Sequence, residues 1–267
     1  MYSIDIEQII YRKCGIHVPK FIISPLRRLI HEEEINALLD SGKEMSPKEF
    51  LQHICHSFRT TYTLHGSLPP ASGRYIFVSN HPFEGLDGIL LAHIMLQQWS
   101  DAGVIVNDLL MHIKPLQQLW IPVNKFGHQN ITATSLYHQA LHSPTKQILT
   151  FPAGLCSRHI GGKITDLEWS PRFLRDAVHY NRTIVPIYVE GALSNRFYNI
   201  FRLRQRLGIG LNIELLLLID EMFRQQGKHI HIHIGTPINP NSLTDDIASN
   251  CTRIRRMVED LADRHII

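Results

Sequence analysis

His81 and Asp87 are the residues of this chain whose types and spacing best suit chemistry. They lie in the stretch Tyr75-Ile76-Phe77-Val78-Ser79-Asn80-His81-Pro82-Phe83-Glu84-Gly85-Leu86-Asp87-Gly88, where an apolar run passes into a polar turn and then a helical pattern. In α/β proteins reactive groups commonly sit at such a junction, outside the carboxyl ends of strands. Imidazole titrates near ambient pH and can take the proton of a hydroxyl. A carboxylate on its other ring nitrogen would fix the tautomer and stabilise the imidazolium. The same residues also read as a capped turn, with Asp87 as the N-cap of a helix over 88–99 and His81 as a turn histidine before Pro82. The residues alone leave both readings open, and one carboxylate can serve both. Glu84 is the alternative carboxylate for His81.

Other reactive types carry less. No base stands beside Cys156 in sequence, so it reads as a small buried residue in a turn rather than as a thiol nucleophile. His229, His231 and His233 alternate with Ile on one strand and share a face. Same-side neighbours on a strand lie ~7 Å apart. With no Cys or carboxylate nearby to complete a metal site, a solvent-facing strand surface is expected. Two basic, aromatic stretches, Lys20–Arg28 and Arg196–Arg206, suit helices that meet anionic headgroups or an acidic carrier protein; each also reads as an ordinary helix with one solvated face.

The elements that must position His81 and Asp87 follow from the rest of the chain. Its 267 residues, 44% hydrophobic and 19% charged, suffice for one large core. The net charge of +3 gives no support to nucleic-acid binding. Cys14, Cys55, Cys156 and Cys251 are scattered and read as free thiols in a reducing cytoplasm. The first ten residues contain Asp5 and Glu7 and lack the basic cluster of a secretory signal. No window reaches the ~18 apolar residues of a spanning helix, so contact with a membrane would be peripheral.

Residues 1–60 read as helical. A helix is expected over His31–Leu39, and Ser46-Pro47-Lys48-Glu49 is a capping box that opens another through about Arg59. From residue 61 strands and helices alternate. Strands are expected at 75–78, 104–106, 147–151, 183–189 and 229–234. Helices are expected at 88–99, 131–141, 169–179, 194–207, 212–223 and 242–265. This pattern predicts an α/β fold with a mostly parallel or mixed central sheet flanked by helices. The division is an N-terminal helical, membrane-proximal segment (1–60) and a catalytic α/β domain (61–267).

Asn80-His81, followed by an Asp that opens a helix, resembles the signature of the glycerophospholipid acyltransferase family. Members move acyl groups from acyl carrier protein or coenzyme A thioesters to glycerol-phosphate or lysolipid hydroxyls. Their usual spacing is His, four residues, Asp; here five residues intervene. The wording His-Pro-Phe-Glu-Gly-Leu-Asp-Gly is similar to a bacterial branch that completes glycine and ornithine lipids. Gly85 is expected to absorb the extra residue.

Later blocks follow in order. Phe151-Pro152-Ala153-Gly154-Leu155-Cys156-Ser157-Arg158 resembles the block that carries acceptor-binding groups, with Ala153 where Glu is usual. Val185-Pro186-Ile187-Tyr188 resembles a strand end that lines the acyl site. Pro122–Gly127 is the best placement of the remaining block, with Lys125 as its cation.

The resemblance implies His81 as general base oriented by Asp87. It places Asn80, Lys125, Gly154, Ser157, Arg158 and Pro186 at the substrates, and requires no metal or other cofactor. Ala153, and Lys125 in place of Arg, turn the expected acceptor away from plain glycerol phosphates. The expected location is the cytoplasmic face of the inner membrane, on an anionic surface. Two other functions share these features: an acyl ester or thioester hydrolase, although no Gly-x-Ser-x-Gly elbow is present, and a non-catalytic lipid-binding protein of the same fold.

Overall fold

The structure is a computed structural model that describes residues 4–107, 110–111, 113–123, 131–208, 214 and 217–263, without the side chains of 12–14. Lys125, most of its block, Asn212 and the last residues of the expected terminal helix lie outside the described residues, as does the side chain of Cys14.

Four helices come first: α1 (Ile6–Cys14), α2 (Lys20–Leu29), α3 (Glu32–Ser41) and α4 (Pro47–Ser57). Ser46 and Glu49 form the expected capping box, with Pro47 opening α4. Phe50, Leu51, Ile54 and Cys55 of α4 are buried in the same core as the helix that follows His81. The core therefore crosses the expected division at residue 60.

The rest is an α/β sandwich. Its strands are β1 (Thr61–His65), β2 (Tyr75–Ser79), β3 (Ala102–Asn107), β4 (Trp120–Val123), β5 (Gln147–Thr150), the short β6 (Arg158–Ile160) and β7 (Lys163–Thr165), β8 (Thr183–Val189) and β9 (His229–Ile234). Its helices are α5 (Gly85–Gln98), α6 (Ile131–His142), α7 (Arg172–His179), α8 (Asn195–Arg206), α9 (Leu218–Phe223) and α10 (Ile247–Glu259).

Seven strands form one sheet in the order β1-β9-β8-β2-β5-β3-β4. All neighbours are parallel except β8 and β9. Strands β6 and β7 make a separate hairpin. Apolar side chains from α4, α5 and α8 cover one face of the sheet, and α6, α7 and α10 cover the other. Burial on both faces explains why β2 and β5 are buried at every residue.

This topology places the chemistry. After β2 the chain crosses over α5 to β3, beyond β5; after β5 it crosses over α7 to β8, beyond β2. The two connections diverge from adjacent strands, and the carboxyl ends of strands at such a switch point are where α/β sheets commonly bind ligands. His81 follows β2 and the 151–158 turn follows β5.

Three expectations change. Helix α5 starts at Gly85, three residues before the expected Gly88, so Asp87 lies in its first turn and Glu84 is the N-cap residue. The longer spacing is absorbed at Glu84, with φ 61°, and not at Gly85, which is absent from the positive-φ residues. The three histidines of β9 do not form a solvent-facing surface. His233 is buried beside Glu190, and His231 bonds His65 across the β1–β9 pairing. Only His229, at the strand's start, is exposed. Side chains of the strands on either side, His65 of β1 and Tyr188 of β8, pack against His233 and cover it.

Candidate active site

Asp87 holds His81. Its Oδ2 accepts from His81 Nδ1 at 3.0 Å and from the Phe83 N–H at 2.9 Å. A carboxylate oxygen can only accept, so Nδ1 carries a proton and Nε2 is left to the reaction. The first turn of a helix suits a carboxylate electrostatically. Here Oδ2 faces back towards His81, while Oδ1 accepts from the Gly88 N–H at 2.9 Å. Asp87 is fully buried, and His81 is 7% exposed.

The ring of His81 lies against Phe151 from the β5 end, with centroids 4.0 Å apart and planes at 18°. Burial alone would push the imidazole down. Asp87, by charge and hydrogen bond, with Glu84 and Asp166 by charge, outweighs it and raises the His81 pKa from 6.5 to about 9. These carboxylates favour the imidazolium in the free protein.

Asp166 is a residue the sequence did not mark. Its Oδ1 accepts from the His81 main-chain N–H at 3.2 Å and from Ser157 Oγ at 2.6 Å, and its Oδ2 accepts from Trp169 Nε1 at 2.9 Å. The Ser157 N–H donates to His81 O at 2.8 Å. Together these bonds tie the His81 loop to the 151–158 turn. Burial pushes the Asp166 carboxyl up, against the lowering pull of these donors. No motif surrounds Asp166; its position after the β6–β7 hairpin creates the contact.

The expected substrate residues fall into different places. Asn80 pairs its amide with the Val189 main chain, accepting at 2.7 Å and donating at 2.9 Å, so it fastens the His81 loop to the end of β8. Ser157 bonds Asp166 as described. Gly154, at φ 69°, makes the sharp turn over the site, its N–H on Phe151 O.

Arg158 is buried beneath the turn. Nη1 donates to Cys156 O at 2.6 Å and Sγ at 2.7 Å, Nη2 lies 3.9 Å from Glu214, and the guanidinium sits over the Phe197 and Phe201 rings. Those partners make it a support for the turn in this conformation. Pro186 is opposite Val78 in the middle of β8, not at a strand end. Its missing N–H is tolerated because β9 ends near it, at Ile234, and only its carbonyl is used, by the Gly235 N–H. Lys125 is outside the described residues.

Burial, with Glu84 nearby, raises the Cys156 thiol well above its ordinary value, so it stays neutral. That agrees with a packed turn residue rather than a nucleophile. Among the described residues no serine, threonine or cysteine is hydrogen-bonded to Nε2 of His81; a carboxylate oxygen of Glu84, Oε2, lies 3.8 Å from it. The site thus offers a buried, carboxylate-oriented base that, among the described residues, has no hydroxyl or thiol of the protein hydrogen-bonded to it.

The family model and two sequence relatives carry acyltransferase names. The family model described as acyltransferase matches residues 11–261. A lyso-glycine lipid O-acyltransferase of Phocaeicola vulgatus is 36% identical over 243 residues, which cover 89% of this chain and 87% of that protein. A protein of the same name from Bacteroides thetaiotaomicron is 35% identical over 243 residues, covering 89% of each chain. Among solved structures, the 1-acyl-sn-glycerophosphate acyltransferase PlsC from Thermotoga maritima is 15% identical, covers 91% of this chain and 93% of its own, and has a TM-score of 0.47.

Proposed function

The chain belongs to the acyltransferase family, and from that premise we propose that it transfers a fatty acyl group from an acyl carrier protein or coenzyme A thioester to the free hydroxyl of an amino-acid lyso-lipid. The observation that carries this reading is the His81–Asp87 pair, which leaves Nε2 without a hydrogen-bonded protein nucleophile among the described residues. A base so placed acts on a substrate hydroxyl and transfers directly.

In the proposed reaction His81, as the neutral imidazole, takes the hydroxyl proton at Nε2. The oxygen bonds to the thioester carbonyl carbon and the π pair moves to the carbonyl oxygen. Collapse of that oxyanion breaks the C–S bond, and the departing thiolate takes the proton from His81. Asp87 keeps Nδ1 protonated throughout and stabilises the imidazolium. Gly154, Ser157 and Arg158 shape the turn that faces the acyl carbonyl; Asn80 and Pro186 fix the β2–β8 floor.

The acceptor reading follows the lyso-glycine lipid named for two relatives, together with Ala153 and Lys125 where glycerol-phosphate enzymes carry other residues. Among the described residues no helix is long and apolar enough to cross a membrane. Exposed Tyr11 of α1, Ile16 in the loop after it, and Phe21 and Ile22 of α2, beside Lys20 and Arg28, form the proposed membrane face. The proposed location is peripheral, on the cytoplasmic face of the inner membrane, where acyl thioesters are available.

Mass spectrometry of the lipids made by purified protein tests the reading. Offered acyl carrier protein and coenzyme A thioesters with a panel of lyso-lipids, it is expected to add one acyl group to an amino-acid lyso-lipid in preference to lysophosphatidic acid. Release of free fatty acid alone would make it a thioester hydrolase.

A further inference from the structure

The amides of the 151–158 turn are not equivalent. Gly154 N–H is bonded to Phe151 O at 2.9 Å and Ser157 N–H to His81 O at 2.8 Å, both main-chain partners held by the fold. Cys156 N–H, between them, donates to a side chain, Glu84 Oε2, at 2.8 Å. That same oxygen lies 3.8 Å from His81 Nε2. The separation is too long for a hydrogen bond. It suits an oxygen that shares a carbon with the hydroxyl oxygen His81 deprotonates.

Glu84 is also the part of the site free to leave. Its side chain is 29% exposed, whereas those of His81 and Asp87 are 9% and 0% exposed. Its backbone sits at φ 61°, ψ −80°, a conformation that a non-glycine residue adopts only when its surroundings hold it there. The carboxylate–amide bond is one such restraint.

We propose that the Cys156 main-chain N–H is the oxyanion donor of the transfer reaction, and that Glu84 is its tethered occupant in the free protein, displaced when the acyl thioester binds. This rests on direct transfer by His81. When the acceptor oxygen bonds to the carbonyl carbon, the π pair moves to the oxygen that has taken Glu84's place; the C–S bond then breaks and the thiolate leaves with the proton from Nε2. A neutral thioester oxygen is a weaker acceptor than a carboxylate. Glu84 therefore competes mainly with ground-state donor binding, and less with the charged intermediate.

The test uses the full chain with selective ¹⁵N-cysteine labelling and the Cys156 amide assigned through Cys156→Ser. Glu84→Gly removes the side chain and tolerates the positive φ; Glu84→Gln removes the charge alone. In free Glu84→Gly the Cys156 amide proton is expected upfield of wild type. In wild type it should shift on saturation with the ketone in which CH₂ replaces the thioester sulfur. Measured above pH 9, where His81 is largely neutral with or without the Glu84 charge, Glu84→Gly should have a donor KM about tenfold lower, with kcat within about threefold of wild type. Glu84→Gln should fall between the two.

An unchanged donor KM, an unmoved Cys156 amide, or a kcat as low as that of His81→Ala overturns the proposal. A His81→Ala protein with near-normal transfer overturns the direct-transfer reading instead, while the amide shift in free Glu84→Gly still reports whether Glu84 occupies the donor.

Discussion

Three carboxylates converge on one imidazole at His81: Asp87 from α5, Glu84 from the residue before it, and Asp166 from beyond the β6–β7 hairpin. They raise its pKa above the ordinary value, so the base form is scarce at neutral pH and accumulates as the pH approaches about 9. Base catalysis needs the neutral ring. The kcat/KM of the free protein should therefore climb with pH, about tenfold per unit, and level off near pH 9. Glu84→Gln should move that limb to lower pH. A profile already flat from pH 6 upwards would contradict the assignment.

The linked stability has the same sign. A raised folded-state pKa gives stability that is full below the unfolded value of 6.5 and is lost as the pH rises through about 9. His81 and Asp87 were legible in the sequence because they carry chemistry-bearing types within one local segment. Asp166 was not, because only tertiary structure brings it to the His81 loop. The extra residue was visible as a spacing, but its location at Glu84 depends on a bond to Cys156, 72 residues away.

Strands and helices were legible where pattern and local signals agreed. β8 and β9 run over 183–189 and 229–234 as read, and the Ser46–Glu49 box opens α4. β1, β4 and the β6–β7 hairpin were not read. They are three to five residues long, and β1, β6 and β7 are not continuously apolar, so their order comes from pairing rather than from periodicity.

Arg182 shows how an element can depend on one residue that no motif marks. It is fully buried at the start of β8 and donates to Leu141 O, Ala140 O and Ser143 O at the end of α6, and to Lys146 O and Tyr75 O at the starts of β5 and β2. Burial lowers its pKa to about 10, and those carbonyls are what keep the buried guanidinium solvated. Arg182→Met keeps the bulk but leaves the carbonyls unpaired. Urea denaturation should show a loss of about 3 kcal/mol or more; an unchanged midpoint would mean the network contributes nothing net.

Exposed large apolar side chains are densest in the N-terminal segment, at Ile9, Tyr11, Ile16, Phe21 and Ile22, while α8 exposes Leu203 and, at its C-cap, Leu207. Phe21 is 77% exposed and Ile16 60%, whereas the aromatics of the second basic stretch, Phe197, Tyr198 and Phe201, are buried in the core. Sequence alone treated the two stretches alike, because composition does not say which face of a helix is covered. Cations are also partly used internally: Arg27 pairs with Glu32, Glu7 and Asp5, and Arg204 with Glu214.

Membrane binding should consequently depend more on α2 than on α8. In sedimentation with anionic vesicles, Phe21→Ser with Ile22→Ser is expected to weaken partitioning about tenfold or more, and Arg202→Gln with Arg206→Gln to matter less. The reverse order would move the membrane face to α8.

The central claim is that the buried His81, held by Asp87, is the base of acyl transfer. It is tested most directly by the initial rate at which purified His81→Ala acylates the lyso-lipid that wild type accepts, with folding checked by circular dichroism. The rate should fall by about a hundredfold or more with the fold intact. A folded His81→Ala protein that transfers at a near-normal rate would contradict it.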